Sequence, residues 1–155
     1  MRFEIPGYGA LTIENVIMDF NGTIAVDGVI KGTVKQRIVR LAESCRLYVL
    51  TSDTQGTAAR ELGELPVTLQ ICETDNAGED KRLFVERVGG ATCACIGNGK
   101  NDVLMFGVAA LSIAVLESEG LYAPLLTAAD LLVKSSEEAL DLLLDEKRLI
   151  AALRG

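Results

Sequence analysis

The chain contains no histidine. Imidazole is therefore excluded as nucleophile activator, general base and metal ligand. Any chemistry has to use carboxylates, hydroxyls, thiols, lysines or a metal held by oxygen. The sequence also has no long lysine and arginine cluster, and its net charge is −7. A phosphate-backbone binder carries a basic face, so no nucleic-acid partner is expected, although one locally basic phosphate pocket is compatible with this balance. No apolar run reaches the length of a bilayer span. The opening residues, MRFEIPGYGALTIE, lack the basic-then-apolar layout of a secretory leader. Together these absences predict a cytoplasmic protein with no membrane partner. No internal repeat, linker or low-complexity stretch interrupts the 155 residues, a length that suits one domain around one core.

Four cysteines are present: Cys45, Cys72, Cys93 and Cys95. All lie in or beside apolar stretches, and the Cys-x-Cys spacing of the last two does not match the usual zinc pairs. Reduced core thiols are the expectation, with a redox or zinc role for Cys93 and Cys95 as the alternative.

Apolar runs alternate with amphipathic segments. Arg2–Ile5 and Leu11–Ile13 flank a Gly/Pro turn and read as a hairpin. Buried strands are expected at Val16–Met18 ending on Asp19, at Leu47–Leu50 ending on Thr51, and at Val67–Cys72, Thr92–Ile96, Leu111–Leu116 and Leu131–Val133. Helices are expected at about 33–45, 55–63, 81–88 and 101–110, over Ala139–Leu144 behind a Ser135-x-x-Glu138 capping box, and from about Asp145 onward. Strands apolar throughout, alternating with helices, predict a Rossmann-like α/β fold. Its parallel sheet of five to six strands is covered by helices on both faces, with an N-terminal β-hairpin. Ligands bind such sheets beyond the carboxyl ends of the strands. Asp19, Thr51 and the Gly97–Asp102 loop all fall there.

Four sites carry the chemistry. Asp19-Phe20-Asn21-Gly22-Thr23 puts a carboxylate at the end of a buried strand, with Gly22 permitting a sharp turn; such an Asp can attack phosphorus. Thr51-Ser52 offers hydroxyls and backbone N–H groups to a phosphoryl oxygen. Lys81 supplies a point charge, with Arg82 as a neighbouring competitor. Gly97-Asn98-Gly99-Lys100-Asn101-Asp102 is a tight loop whose side-chain oxygens suit a hard cation.

In this order and on these elements, the four sites resemble the motifs of the haloacid dehalogenase-like (HAD) superfamily. The first resembles Asp-x-Asp-Gly-Thr, and also the Asp-Lys-Thr-Gly-Thr of P-type ATPases; the fourth resembles Gly-Asp-Gly-x-Asn-Asp. The resemblance covers about residues 14–116 and is nearest to small soluble proteins related to the P-type ATPase phosphorylation domain. It implies a magnesium-dependent phosphatase or phosphotransferase that works through an aspartyl-phosphate on Asp19. The implied catalytic residues are Asp19, Asn21, Thr51 and Lys81. Thr51, Ser52, Lys81 and Gly22 are implied to bind phosphate, and Asp19, Asn21, Asn98 and Asp102 to hold Mg2+.

Two positions depart from the family pattern. Asn21 stands where most of these phosphatases carry a general acid/base Asp, and Asn98 where a carboxylate usually meets the magnesium. An amide exchanges no proton near neutral pH, and a positioned acid/base contributes about 10²–10⁴-fold. The alternative reading is a catalytically impaired phosphate-binding or regulatory module on the same fold. Both asparagines precede glycine, the dipeptide most prone to deamidation, so conversion to aspartate is a second expectation.

Ile24–Lys31 is only a short flap, and residues 53–80 leave room for little beyond one helix and one strand. A single core domain over residues 1–155 without a cap is expected, with an open site bordered by Asp27, Asp53 and Gln55. In the family such sites act on macromolecules or borrow a neighbouring subunit as cover. The expected partners are a phosphorylated small molecule or phosphoprotein, and a homo-oligomer whose contact is the N-terminal hairpin.

Overall fold

The computed structural model describes residues 1–53, 56–73 and 75–155. Strand β1 (Arg2–Ile5) pairs antiparallel with β2 (Gly9–Thr12), in register from Arg2 opposite Thr12 to Ile5 opposite Gly9. The main sheet holds β3 (Asn15–Asp19), β4 (Arg46–Thr51), β5 (Thr68–Ile71), β6 (Cys93–Gly97), β7 (Leu111–Val115) and β8 (Leu131–Val133). All five pairings are parallel, and the spatial order is β5-β4-β3-β6-β7-β8. The expected Rossmann-like α/β architecture is therefore present, with six strands and the separate hairpin.

Side chains alternate across a strand, and this splits the core in two. Val16, Met18, Val49, Ile96 and Ile113 face one side of the sheet. There they meet Val34, Ile38 and Leu41 of α1 (Gly32–Leu41), Leu140 and Leu143 of α5 (Ser136–Leu144), and Leu149 of α6 (Glu146–Leu153). Phe3, Ile5 and Leu11 turn the hairpin's apolar side into this same layer. Ile17, Leu50, Cys95 and Ala114 face the other way, onto Phe84 and Val85 of α3 (Ala77–Val88) and Met105 and Phe106 of α4 (Val103–Phe106). Short α2 (Thr57–Leu62) adds Ala58 and Leu62 to the first layer. Each inner strand is thus buried on both faces, which is why its sequence is apolar without alternation. All four cysteines are free thiols, three of them buried.

Several boundaries differ from the sequence expectation. Helix α1 stops at Leu41 rather than 45, and the N–H groups of Ser44 and Cys45 both turn back onto the Leu41 carbonyl. Helix α3 begins one turn before Lys81: the Asn76 side chain accepts from the Glu79 N–H, and Glu79 and Asp80 load the first turn with negative charge. The helix expected at 101–110 is a 3-10 turn over Lys100–Asp102 followed by four α-helical residues, ended at Gly107. Further 3-10 turns occupy Gly90–Thr92 and Ala123–Thr127. Half of the expected capping box forms: Ser135 Oγ accepts from Glu138 N, but Glu138 Oε2 takes the N–H of Lys134, not of Ser135. Arg37 grips Asp141 with two hydrogen bonds of 2.8 and 3.0 Å, fastening α1 to α5.

The chain reverses direction across the sheet at β3, which has β4 on one side and β6 on the other. The carboxyl ends of these three strands carry Asp19, Thr51 and Gly97, and a crevice opens at such a switch point.

Candidate active site

Asp19 ends the central strand and is 7% exposed. Its carboxylate accepts from Lys81 Nζ at 2.5 Å and from Thr23 Oγ1 at 3.2 Å. Lys81 rises from the second turn of α3 and is wholly buried, and its ammonium also donates to Asp102 Oδ1 at 2.7 Å. Asp102 is wholly buried too, and its Oδ2 accepts the N–H groups of Asn98 and Gly99 at 2.9 and 2.8 Å. One lysine therefore joins carboxylates from two separate elements. Arg82, the competitor, instead pairs with Glu79 and Glu86 along its own helix.

Burial, and next the charge of Asp102, lift the Asp19 carboxyl to about 6, while Lys81 and the Phe20 N–H pull it down. Burial opposes the charged lysine, but Asp19 and Asp102 outweigh it and raise the Lys81 pKa above its ordinary value. The lysine stays protonated, and the three charges sum to −1 when both carboxylates are ionised.

A polar cleft of about 700 Å³ opens over this triad, lined by Asp19, Asn21, Asp27, Gly28, Thr51, Ser52, Asp53, Thr57, Asn98, Gly99 and Asn101. Of the residues expected to bind phosphate, Thr51 and Ser52 lie in its wall. Thr51 Oγ1 accepts the Asp53 N–H, so its proton is left to donate. Asp53 caps α2 through the Ala58 N–H. Asp27 and Asp53 border the cleft as expected, and Gln55 lies outside the described residues.

Asp102, Lys81 and Gly22, all expected at the site, are engaged within the protein. Asp102 has both oxygens engaged and no exposed surface, and it anchors Lys81 and the loop start. Lys81 reaches the cleft only through Asp19, because it has no exposed surface of its own. Gly22 does not offer its N–H to a ligand, because that group donates to the Ala25 carbonyl at 2.8 Å. Its role is steric: at φ +73° an added Cβ would run into the Asn98 amide. Gly97 is constrained similarly, since a Cβ there would lie 2.5 Å from the Asp102 carboxylate.

The oxygens that remain suit a hard cation. Thr23 Oγ1 reaches both Asp19 Oδ2, at 3.2 Å, and Asn98 Oδ1, at 3.0 Å. One hydroxyl proton cannot serve both acceptors, so at least one oxygen keeps a lone pair for another partner. Among the described residues, no group of three or more His, Cys, Asp or Glu could hold a metal. A cation site here would thus be built from one carboxylate with amide, backbone and water oxygens, the donor set magnesium tolerates.

Thr23, Ser136 and residues 116–122 were not singled out from sequence. Thr23 is wholly buried, and Ser136 Oγ donates to its carbonyl at 2.6 Å. Glu117 Oε1 accepts the Ser136 N–H and lies 3.5 Å from Lys31 Nζ, while Glu119 accepts the Asp27 N–H. Thr23 was legible from its place in the first motif. Nothing in the local sequence marks the others, whose partners are distant.

No family model matches the chain. Two uncharacterized proteins of Methanocaldococcus jannaschii share parts of it. The first is 46% identical over 59 residues, 38% of this chain, and the match spans 63% of that protein's length. The second is 49% identical over 39 residues, 25% of this chain and 89% of that protein, and this chain belongs to the same family as that second protein. Solved structures match much more of the chain. The cobalt-bound deoxy-D-mannose-octulosonate 8-phosphate phosphatase of Haemophilus influenzae has a TM-score of 0.74 at 16% identity, covering 93% of this chain and 94% of that one. The 3-deoxy-D-manno-octulosonate 8-phosphate phosphatase of Moraxella catarrhalis, in complex with magnesium, phosphate and its sugar, has a TM-score of 0.72 at 18% identity and covers 90% of each chain. A Streptomyces avermitilis chain assigned to the HAD family of hydrolases gives 0.67 at 19% identity, covering 92% of this chain and 84% of that one.

Proposed function

Starting from the HAD fold that this chain carries, we propose that it is a phosphoryl-transfer hydrolase, a phosphatase or phosphotransferase, with Asp19 as nucleophile. The observation that carries this reading is the Asp19–Lys81–Asp102 triad, with contacts of 2.5 and 2.7 Å, beneath a polar cleft that only Asp19 of the three lines. Lys81 orients the Asp19 carboxylate and offsets its charge as a phosphoryl group approaches. Asp19 attacks phosphorus, the bond to the leaving oxygen breaks, and an aspartyl-phosphate forms. Thr51 and Ser52 donate to the transferring oxygens, where most phosphoryl-transfer catalysis originates. Water then attacks the same phosphorus, releasing phosphate and restoring Asp19.

Asn21 lines the cleft mouth and is exposed. It can orient a leaving group or water but cannot pass either a proton. Substrates whose leaving group departs without protonation are therefore favoured, and hydrolysis of the phosphoenzyme is slow. The resemblance of the first motif to P-type ATPase phosphorylation domains supports a long-lived phosphoenzyme. A divalent cation such as magnesium, held by Asp19 and Asn98 with Asn21 at the rim, would supply Lewis-acid stabilisation of the phosphoryl oxygens. The neighbouring structures hold magnesium in one case and cobalt in another, which supports a divalent metal.

We read residues 1–155 as one core domain, its short flap leaving the cleft open to a phosphorylated small molecule or phosphoprotein. Among the described residues no helix is long and apolar enough to cross a membrane, and four free thiols suit a reducing cytoplasm. The test is a screen of phosphate esters and acyl phosphates with several divalent metals. Turnover lost in Asp19→Asn supports the reading; metal-dependent turnover unchanged in that variant rejects it.

A further inference from the structure

Every polar group of Asn98 has a neighbour within hydrogen-bond distance. Its backbone N–H donates to Asp102 Oδ2 at 2.9 Å, and its carbonyl accepts from Tyr122 N at 2.8 Å. Its side-chain Nδ2 donates to the Gly120 carbonyl at 3.0 Å, and its Oδ1 accepts from Thr23 Oγ1 at 3.0 Å. A main-chain carbonyl only accepts, so the group facing Gly120 has to be a donor, which fixes which end of the amide points where.

The loop that supplies this carbonyl is held in place. The Leu116 N–H donates to the Val133 carbonyl and the Gly120 N–H to the Glu117 carbonyl, both at 2.9 Å. Glu117, its side chain only 8% exposed, accepts from Ser136, and Glu119 accepts the Asp27 N–H. The Gly120 N–H on Glu117 and the Tyr122 N–H on Asn98 hold the two peptide groups that flank the Gly120 carbonyl, which faces the Asn98 amide. An ionised carboxylate at position 98 would set one acceptor against another.

We propose that residues 116–122 select an amide at position 98, and that Asn98 thereby sets the charge of the phosphoryl site. This deepens the phosphoryl-transfer reading, on which its functional half rests; its geometric half does not. With an amide at 98 the buried triad keeps its net −1 beneath an incoming phosphate dianion. A carboxylate at 98 would add a charge beside the triad and bring the site to −2, drawing a divalent cation more strongly while repelling the anion. The fold thus selects a residue that spares the anion some repulsion and weakens the hold on the cation. Asn98 is a binding-site residue tuned for this balance, and the loop positions it.

The test compares Asn98→Asp and Asn98→Ala with the natural chain. In chelator, thermal unfolding of Asn98→Asp is expected about 5 °C below the natural protein, the order of shift produced when a part-buried carbonyl loses its donor and meets a like acceptor in a chain of this size. Asn98→Ala, which loses the donor without adding charge, falls between. Titration calorimetry with magnesium chloride is expected to show about tenfold tighter binding by Asn98→Asp. An Asn98→Asp chain that melts at or above the natural one in chelator overturns the proposal, as does unchanged magnesium affinity.

If Asn98→Asp does not fold, the natural chain alone decides by NMR of asparagine-labelled protein. The Asn98 side-chain N–H protons should exchange at least about tenfold more slowly than those of exposed Asn21; equal exchange rejects the lock. A natural chain that turns over no phosphate ester yet shows these shifts sinks the phosphoryl reading and leaves the amide selection standing.

Discussion

The hydroxyl of Ser136 donates to the main-chain carbonyl of Thr23 at 2.6 Å, joining residues 113 positions apart. One residue belongs to the first turn of α5, the other to the turn that follows the nucleophile. Because Thr23 also reaches Asp19 and Asn98, the start of α5 braces the floor of the cleft.

Ser136→Ala removes that brace and leaves a buried carbonyl without its partner. The expected loss is about 1–3 kcal/mol of stability, read by urea denaturation. Turnover should fall as well, since the Thr23 hydroxyl is no longer held against Asp19. A variant with unchanged stability and turnover would show that Thr23 needs no support from α5.

Lys81→Met leaves Asp19 and Asp102 facing each other without their shared counter-charge. Breaking a buried ion pair from one side costs about 3–5 kcal/mol. Adding Asp19→Asn to Lys81→Met removes one of the stranded charges and should recover part of that loss. Denaturant midpoints of the four proteins in the cycle give the coupling, and simple additivity would mean that the triad does not act as a unit.

Asp19 attacks only as a carboxylate, and burial with the Asp102 charge raises its pKa to about 6. Below that pH the group is mostly protonated and unreactive, so activity should climb as pH rises through about 6 and level off above it. An aspartate with the unperturbed pKa of about 3.9 would place this limb lower. A bound cation favours the ionised form, so raising magnesium should move the limb to lower pH. The profile of kcat/KM at two magnesium concentrations checks both statements.

Asn98 should resist deamidation although glycine follows it. The reaction needs the Gly99 nitrogen to attack the Asn98 amide carbon. That N–H is engaged by Asp102 at 2.8 Å, and the amide is tied to Gly120 at 3.0 Å. The Gly22 N–H is engaged as well, by the Ala25 carbonyl at 2.8 Å, but the Asn21 side chain is exposed at the cleft mouth with no such tie among the described residues, so Asn21 should convert first. Peptide mass spectrometry after incubation at mildly alkaline pH measures both sites, and faster conversion at 98 than at 21 would contradict the lock.

The strand ends were legible in sequence because each inner strand is an apolar run that stops at one polar residue, Asp19 or Thr51. The start of α3 was not: its first turn, Ala77-Gly78-Glu79-Asp80, shows little apolar periodicity, and the Asn76 cap sets the boundary. The boundary decides the environment of the lysine: in the first turn it would be solvated, whereas one turn further in Lys81 is buried. Asp102 was legible as a site residue, but its task was not. The two N–H groups that occupy its outer oxygen belong to the loop conformation, which residue types alone do not specify. The Glu117–Ser136–Thr23 bracing was invisible for a different reason: it joins separate elements across the sheet through two main-chain groups, whose positions depend on the finished fold.

The placement of β3 between β4 and β6 also bears on the order in which the protein emerges from the ribosome. A nascent chain synthesised as far as α3 already carries Asp19 and Lys81, but the strand that completes β3 has not yet been made. Until residue 102 follows, the ammonium has one counter-ion instead of two, and the central strand keeps an unpaired edge.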